Sequence, residues 1–486
     1  MNKRYLYLLI AAILTVFIGG KWNIPLAAWL MPVFAIRFFR ESDKAGRNFL
    51  LMWAASAVAT IIAWNGATAT AAIHPNAEPI FFILMMPIGL IPYVIDRLYA
   101  RRFPNAAWVT LVYPIAATAV DFFSASGSPF GTFGAAAYSQ HGFLPAMQIA
   151  SVFGLWGINF VMSWFASLIN HLWENGFKFT RLTLASTGLL ALILGLGVGR
   201  ILLPAAPQGT ATIAGFSLPN GTLQNMMTMI AVNGDEAGFR HTADEQNTWQ
   251  LEQLRSLAQD GADIVVLQEG AVMGMSDQIE AVMREASIIA REENIYIVIP
   301  TFDLGKKPAV NSVHIIDLNG EVVLTHVKYG GNFIEGTQEG DGILQTVDTP
   351  YGKLSAVICW DADFPNIIKQ AGKQNVDLLF VPSNDWLEVK DIHSGMATFR
   401  AVENGMSIFR QTGQGVSSAV NVYGRELNRV DSFKEIASGF AGVQRVQMPI
   451  GSVNTLYPSV GDALGNVMLV GLVGLLVGLW VTRKGR

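Results

Sequence analysis

The chain of 486 residues has one cysteine and few charged residues. Because Cys359 has no second cysteine to pair with, an internal disulfide and any multi-cysteine metal or cluster site are excluded. Charged residues make up 14% of the chain, whereas an ordinary soluble domain carries about 25%. Hydrophobic residues make up 51%, so much of the surface must face something other than water. The composition therefore indicates a membrane protein that keeps a free thiol.

Several sequence signatures are missing as well. The formal net charge is -4 and no basic stripe is interleaved with aromatic residues, which argues against nucleic acid as a partner. The histidines show no H-E-x-x-H or comparable spacing, and the stretch GQGVSSA lacks the G-x-S-x-G turn of serine hydrolases. Walker and dinucleotide fingerprints do not occur either. We therefore expect neither a metal nor a cofactor.

Long apolar runs divide the chain into three parts. A membrane span needs roughly 20 mostly apolar residues. We predict a helical domain at 1–206 with about seven spans, a globular domain at 207–455, and a final span with a short tail at 456–486. A cleaved signal peptide is the alternative for the first run, but no small-x-small site follows it cleanly. The predicted spans are 5–19, 24–39, 49–64, 79–95, 108–123, 147–173, 182–203 and 464–481.

Lysine and arginine residues predict the orientation, because they collect in cytoplasmic loops. They occur at the N-terminus, in the loops after the second, fourth and sixth spans, and in the C-terminal stretch TRKGR. The loops after the third and fifth spans contain none. Seven spans that start inside place the globular domain outside the cytoplasm. If the short second span does not cross the membrane, the globular domain would lie on the opposite side. The basic residues are Lys3, Arg4, Arg37, Arg40, Lys44, Arg47, Arg97, Arg101, Arg102, Lys178 and Arg181.

The globular part has a different periodicity. Short β-branched runs such as ADIVVLQEG, EVVLTHVKYG and KLSAVICWD are bounded by turn residues. Between them lie helical patterns such as TWQLEQLRSLAQDG, with apolar residues at three- and four-residue spacing. This alternation predicts a layered α/β fold whose reacting groups lie at strand ends.

Three chemically active side chains stand at such strand ends. Glu269 ends one apolar run, Lys328 ends a second and Cys359 ends a third. A thiol is a weak nucleophile until a neighbouring group favours its thiolate. A carboxylate supplies a base, and an ammonium stabilises both a thiolate and a tetrahedral oxyanion. Together the three residues form a complete set for acyl transfer.

The sequence around these residues resembles the nitrilase, or carbon–nitrogen hydrolase, superfamily. The matching stretches are VVLQEG, HVKYGGNFIEG, ICWDADFP, LLFVPSNDW and HSGMATFRAVENG. With its spans on either side, nearly the full length resembles the membrane-embedded branch, the apolipoprotein N-acyltransferases. The resemblance implies a polytopic α-helical membrane protein with an inserted αββα sandwich domain. It also implies the bacterial inner membrane, with the catalytic domain on the periplasmic side.

The resemblance implies roles for individual residues. Glu269 corresponds to the general base and Cys359 to the nucleophile. Lys328 would stabilise the oxyanion together with the backbone N–H of Trp360. Glu335 matches a second glutamate that orients the lysine and the thiol.

The implied reaction is a ping-pong acyl transfer. Cys359 would take a fatty acyl chain from a membrane phospholipid as a thioester, and the α-amine of a diacylglyceryl-cysteine lipoprotein would then accept it. We expect a monomer, with an apolar groove to which Phe130, Phe333 and Trp386 contribute acyl contacts. Arg400 and Glu403 match the family's structural ion pair.

Two other functions stay open. The base follows Leu267 and Gln268 instead of the family's Trp-Pro pair, and Trp360 and Asp361 replace the usual Tyr and Glu. A membrane-tethered amidase with the same three residues and water as acceptor is therefore one alternative. A transporter or receptor whose globular domain only binds ligand is the other, although the spans hold few charges of the kind that mark transport paths.

Overall fold

A computed structural model describes residues 3–41, 44–74, 76–104, 106–218, 222–437 and 442–484. The chain forms two compact units. The helical unit comprises Met1–Ser128, Thr132–Pro204 and Ser459–Arg486, and the sheet unit comprises Pro129–Gly131 and Ala205–Pro458.

The helical unit is built from long apolar helices that begin near the N-terminus. Its first nine α-helices are α1 (Lys3–Thr15), α2 (Pro25–Arg40), α3 (Ala45–Trp64), α4 (Ala69–Ile73), α5 (Ala77–Arg102), α6 (Val112–Ser126), α7 (Leu144–Met147), α8 (Ala150–Glu174) and α9 (Arg181–Leu202), within the described residues. Short 3₁₀ turns at Ala107–Leu111 and Ala136–Gln140 accompany them.

The sheet unit contains the predicted β-branched runs as strands. In the described part of the chain these are β1 (Gly209–Phe216), β2 (Ile264–Leu267), β3 (Val272–Gly274), β4 (Tyr296–Asp303), β5 (Val310–Ile316), β6 (Val322–Val327), β7 (Val347–Thr349), β8 (Gly352–Ala356), β9 (Leu378–Phe380), β10 (Ser407–Arg410), β11 (Val416–Val420), β12 (Glu426–Asp431) and β13 (Gln444–Ile450).

The remaining helices alternate with these strands. They are α10 (Thr222–Ala231), α11 (Glu236–Gln259), α12 (Ser276–Glu293), α13 (Asn332–Glu335), α14 (Pro365–Lys373), α15 (Lys390–Asn404), α16 (Ser432–Ala437), α17 (Tyr457–Val460) and α18 (Ala463–Lys484). The last of them returns the chain to the helical unit.

Two sheets form the centre of the sheet unit. Over the described residues one sheet has the order β13-β1-β2-β4-β5-β6 with β3 beside β4, and the other has the order β12-β11-β10-β9-β8-β7. Ile213 and Val266 of the first sheet share a buried core with Phe380 and Phe409 of the second. Helices α11 and α12 cover the outer face of the first sheet, and α14 and α15 cover that of the second. This arrangement confirms the αββα sandwich.

Six of the described helices are long and apolar enough to cross a membrane. They lie at Ala45–Trp64, Ala77–Arg102, Ala107–Ser126, Ala150–Glu174, Arg181–Leu202 and Ala463–Val481. The first two predicted spans, 5–19 and 24–39, correspond to α1 and α2, whose 13 and 16 residues are too few for either helix to count among these six. In the turn between them, Ile24 N–H donates to the Phe17 carbonyl before Pro25 starts α2. The predicted basic tail ends with Gly485 and Arg486, which lie outside the described residues.

Charged groups inside the helical unit have polar partners. Arg40 binds Asp96 through two hydrogen bonds of 2.7 and 2.6 Å. Asp121, near the end of α6, accepts a hydrogen bond of 2.6 Å from Asn159. Since an uncompensated charge is costly within a bilayer, these contacts stabilise the packing of the helices.

Candidate active site

The three reactive side chains come from separate strands and meet in the sheet unit. Glu269 lies two residues beyond β2, Lys328 directly follows β6, and Cys359 lies three residues beyond β8. Lys328 Nζ is 2.7 Å from Glu269 Oε1. The charges of both residues act on the Cys359 thiol, so the three groups share one electrostatic environment.

The backbone at Cys359 is in a left-handed conformation. Its φ is 47°, which a residue with a side chain adopts only when surrounding structure enforces it. Cys359 N–H donates to the Pro382 carbonyl at 2.9 Å, and Sγ lies 3.5 Å from the Asn384 carbonyl oxygen. A 3₁₀ turn, Cys359–Asp363, begins at this residue. These contacts hold the thiol at the end of its strand.

Burial sets the resting protonation of the thiol. It raises the pKa of Cys359 well above the usual value; the negative charge of Glu269 adds to the rise and the positive charge of Lys328 opposes it. For Lys328, burial disfavours the ammonium, but the carboxylates of Glu269 and Glu335 outweigh it and raise the lysine pKa. The site therefore holds a protonated thiol beside a permanent cation, and it needs a base to form a thiolate.

Glu269 is held by more than the lysine. Asn311 Nδ2 donates to Glu269 Oε1 at 2.9 Å, and Asn384 Nδ2 donates to the backbone carbonyl of Glu269 at 2.6 Å. Because Asn384 also contacts the thiol through its own carbonyl, one residue touches both Glu269 and Cys359.

Glu335 lies on the outer side of the lysine. It forms a salt bridge with Lys328, and 26% of its side chain is accessible to solvent. Asn311 Nδ2 lies 3.4 Å from Glu335 Oε2, so this amide links the two carboxylates. Burial raises the pKa of the Glu335 carboxyl, and the ammonium of Lys328 opposes the rise. Lys328 thus bridges a buried carboxylate and a more accessible one.

Asp361 joins residues 329–331, which we call the lysine loop, to the turn that begins at Cys359. One of its carboxylate oxygens accepts hydrogen bonds from the backbone N–H groups of Tyr329 and Gly330, at 2.9 and 2.7 Å. The other accepts from Ile358 N–H at 2.9 Å and lies 2.8 Å from His326 Nε2. The residues after Lys328 are therefore tied to those around Cys359.

The glycine pair after Tyr329 packs against Trp360. Gly331 has φ 83°, and a Cβ at this position would lie 2.1 Å from the Trp360 ring. The Trp360 ring centroid is 5.9 Å from Lys328 Nζ. Only glycine fits at this position, where the lysine loop packs against Trp360, the residue after Cys359.

Two of the three residues predicted as acyl contacts, Phe130 and Phe333, lie beside this loop. The rings of Phe130 and Phe333 are 5.5 Å apart, and those of Phe130 and Trp360 are 5.8 Å apart. Phe333 is 61% exposed. Trp386 is partly buried and directly follows Asp385. Their contact with an acyl chain stays a prediction.

Sequence reasoning missed a second buried cluster beside the thiol. It contains Asp363, Asp385, His393 and Arg410. The relevant signal was the stretch VPSNDW followed by the histidine of HSGMATFRAVENG, which identified the family without revealing these contacts. The other conspicuous pair in that stretch, Arg400 with Glu403, forms a buried salt bridge.

Two known families match successive parts of this chain. Residues 11–168 match the apolipoprotein N-acyltransferase N-terminal domain, and residues 216–438 match the carbon-nitrogen hydrolase family. The two matched regions together make the chain similar to the apolipoprotein N-acyltransferases over most of its length. Its carbon-nitrogen hydrolase segment covers the region from the end of β1 to α16 and includes Glu269, Lys328 and Cys359.

Curated members of the apolipoprotein N-acyltransferase family show the extent of the similarity. The chain is 24% identical to the apolipoprotein N-acyltransferase of Borreliella burgdorferi over 38% of its own length and 36% of that protein. It is 27% identical to that of Rhodopseudomonas palustris over 35% of each chain. The chain thus spans about a third of the length of these two relatives. With the Haemophilus influenzae protein it shares 22% identity over 90% of this chain and 88% of that one.

Solved structures are also similar to part of the chain. An amidase from Nesterenkonia sp. AN1 aligns with 54% of this chain and 97% of its own, at 18% identity and a TM-score of 0.40.

Proposed function

We propose that this chain transfers a fatty acyl chain from a membrane phospholipid, through a thioester on Cys359, to the N-terminal α-amine of a diacylglyceryl-cysteine lipoprotein. The observation that carries the proposal is the buried thiol beside a lysine that bridges two carboxylates. The membrane-spanning helices and the match to both domains of the acyltransferase family support the lipid substrates.

In the first half-reaction Glu269 takes the proton of Cys359, and the sulfur attacks the ester carbonyl. Lys328 and the backbone N–H of Trp360 stabilise the oxyanion of the tetrahedral intermediate. The bond between the carbonyl carbon and the glyceryl oxygen then breaks, and Glu269 returns the proton to that oxygen. A lysophospholipid leaves, and the acyl group stays on sulfur.

In the second half-reaction the lipoprotein amine attacks the thioester. Glu269 accepts a proton from the amine and passes it to the sulfur as the carbon–sulfur bond breaks, which restores both the thiol of Cys359 and the carboxylate of Glu269. Glu335 keeps Lys328 oriented through both halves. An apolar surrounding slows the competing attack by water.

The proposal places the sheet unit beside the outer leaflet of the bacterial inner membrane. We assign 1–206 and 456–486 to the membrane domain and 207–455 to the catalytic domain. Basic residues on the loops after α2, α5 and α8 support an inside location for those loops. The number of crossings before the catalytic domain is odd whether α1 and α2 both cross or neither does, so the predicted side is the same.

A two-substrate experiment tests the proposal. The full-length chain in lipid nanodiscs receives phospholipid with labelled acyl chains and a synthetic diacylglyceryl-cysteinyl peptide. We expect label in an amide on the peptide and one lysophospholipid per product, with no transfer by Cys359→Ala. Release of label as free fatty acid at the same rate with and without peptide, or turnover of small amides without phospholipid, would instead identify a tethered hydrolase.

A further inference from the structure

A second charged cluster lies directly behind the thiol. The side chains of Asp385 and His393 offer ligand-type atoms that lie within 4.8 Å of each other and of Cys359 Sγ. Arg410 Nη2 donates to both oxygens of Asp385, at 3.1 and 2.9 Å. His393 Nδ1 is 2.7 Å from Asp385 Oδ1, and its Nε2 is 3.3 Å from Asp363 Oδ2. All four charged side chains of this cluster are buried.

The contacts of His393 define its protonation. One carboxylate faces each ring nitrogen, and an ionised carboxylate only accepts hydrogen bonds. A neutral imidazole has a single N–H donor, whereas the imidazolium donates from both nitrogens. Burial lowers the pKa of His393, but the charges of Asp363 and Asp385 outweigh it and raise the pKa to about 9. The two carboxylates therefore favour the imidazolium, whereas the guanidinium of Arg410, 3.3 Å from Nδ1, opposes it.

The imidazolium also connects the two segments that flank the nucleophile. Asp363 ends the 3₁₀ turn that begins at Cys359. Asp385 follows Asn384, whose carbonyl contacts the thiol and whose amide donates to Glu269. His393 on α15 thus bridges the turn of the nucleophile and the segment that touches both nucleophile and base.

The charge balance of the cluster depends on this proton. With His393 protonated, two carboxylates face two cations and the cluster is neutral. With His393 neutral, one uncompensated negative charge stands beside the thiol. Because a negative charge within about 5 Å disfavours a thiolate, the neutral imidazole opposes activation of Cys359.

We propose that His393 is a positioning residue that acts as an imidazolium. It links the Asn384–Asp385 segment to the Cys359 turn, and its positive charge balances the second of the two buried carboxylates. The thiolate therefore forms beside a neutral cluster. This role rests on the nucleophile proposed above but not on the identity of the acyl donor. The charged groups that lie against the imidazole are Asp363 on the nucleophile's turn, Asp385 after β9 and Arg410 on β10. Neighbouring charges on α15 itself, Lys390 and Asp391, pair with each other.

The pH dependence follows from this assignment. Below about pH 9 the cluster is neutral and the thiol reacts with the help of Glu269 and Lys328. Above about pH 9, loss of the His393 proton leaves the cluster with a net negative charge, which raises the pKa of the thiol. The alkylation rate of Cys359 should therefore rise less than tenfold per pH unit once His393 titrates.

Alkylation of Cys359 by iodoacetamide tests the proposal without any lipid substrate. Cys359 is the only cysteine, so intact mass reports its modification directly. The rate is measured between about pH 6 and about pH 10 for the full-length wild type, His393→Gln, Asp363→Asn and the double variant. His241→Gln is the matched control, because the His241 side chain is 77% accessible and binds an exposed glutamate.

Charge balance predicts a specific pattern. His393→Gln should slow alkylation at neutral pH at least about tenfold and lose the change of slope near pH 9. The double variant removes one positive and one negative charge, so its rate should return to within about threefold of wild type. Asp363→Asn alone should react at least as fast as wild type, which tests the proposal even if His393→Gln does not fold.

Two results would overturn the proposal. One is a His393→Gln rate equal to those of wild type and His241→Gln at every pH. The other is an alkylation rate of the double variant as low as that of His393→Gln. Restored charge balance would not recover the rate if the role of His393 were purely structural. If the expected alkylation pattern holds but phospholipid never acylates Cys359, the proposed function fails while this role of His393 stands.

Discussion

Lys328 Nζ lies 2.7 Å from Glu269 Oε1, with both side chains buried. Asn311 donates to the same oxygen at 2.9 Å, so we infer that the second oxygen of Glu269 takes the thiol proton. Burial raises the pKa of the neighbouring thiol, so Cys359 stays protonated until substrate arrives.

Replacing Glu269 by Gln should remove the base while preserving the shape of the side chain. We expect the rate of acyl-enzyme formation from phospholipid to fall by about 10²-fold to 10⁴-fold, the usual contribution of general base catalysis. Intact mass at timed intervals measures it. Normal loading in this variant would exclude Glu269 as the base.

Replacing Glu335 by Gln should weaken the orientation of Lys328 but leave its contact with Glu269. We expect a smaller loss of acylation rate, up to about 100-fold, because a displaced cation stabilises the oxyanion less well. Glu339→Gln is the matched control, since Glu339 is exposed on the same loop. Equal acylation rates for the two variants would show that Glu335 does not orient Lys328.

Asp361→Asn should destabilise the sheet unit. Asp361 accepts hydrogen bonds from three backbone N–H groups and faces His326, and an amide nitrogen in place of either oxygen would meet donors instead of an acceptor. We expect the free energy of unfolding to fall by about 3 kcal/mol or more, measured by denaturant titration of the purified chain. Asp348→Asn, whose side chain is 87% accessible, should leave it unchanged. Equal stability of both variants would contradict the role of Asp361.

Gly331→Ala should displace the lysine loop. The new methyl group would lie 2.1 Å from the Trp360 ring, and the backbone φ of 83° already disfavours any residue but glycine. Gly336→Ala separates the two effects, because Gly336 has φ 68° but no heavy atom within 4 Å of a Cβ among the described residues. We expect Gly336→Ala to keep acylation and Gly331→Ala to lose most of it, as measured by intact mass. Similar rates would show that contact with Trp360 does not position Lys328.

The stability of the sheet unit should depend on the His393 proton. Its pKa is raised to about 9 from an ordinary value of 6.5, so its stabilisation is complete below about pH 6.5 and is lost as pH rises through 9. The difference in melting temperature between wild type and His393→Gln should therefore shrink above about pH 9. A difference that grows with pH would contradict the assignment.

The sequence pointed to Glu269, Lys328 and Cys359 as candidates because each stands where an apolar run stops. Such runs form buried strands, and β2, β6 and β8 end within three residues of Glu269, Lys328 and Cys359. The sequence pattern did not show that the three side chains meet, because Lys328 and Cys359 follow strands of different sheets.

The first two helices agree closely with their apolar runs. The predicted runs 5–19 and 24–39 correspond to α1 and α2, whose bounds differ from them by at most four residues. The hydrogen bond from Ile24 N–H to the Phe17 carbonyl in the intervening turn could not be read from hydropathy.

The cluster around His393 could not be predicted from one sequence. Asp363, Asp385 and Arg410 lie in separate elements, and polar residues outside periodic runs carry no signal for their partners. Only the packing of α15 against the second sheet brings them together.

The most direct test of the account is the mass of the intact protein after incubation with phospholipid alone. Wild type should gain the mass of one fatty acyl chain, labile to hydroxylamine, and Cys359→Ala should gain none. A wild-type protein that stays unmodified while iodoacetamide still alkylates Cys359 would contradict the thioester and, with it, the proposed acyl transfer.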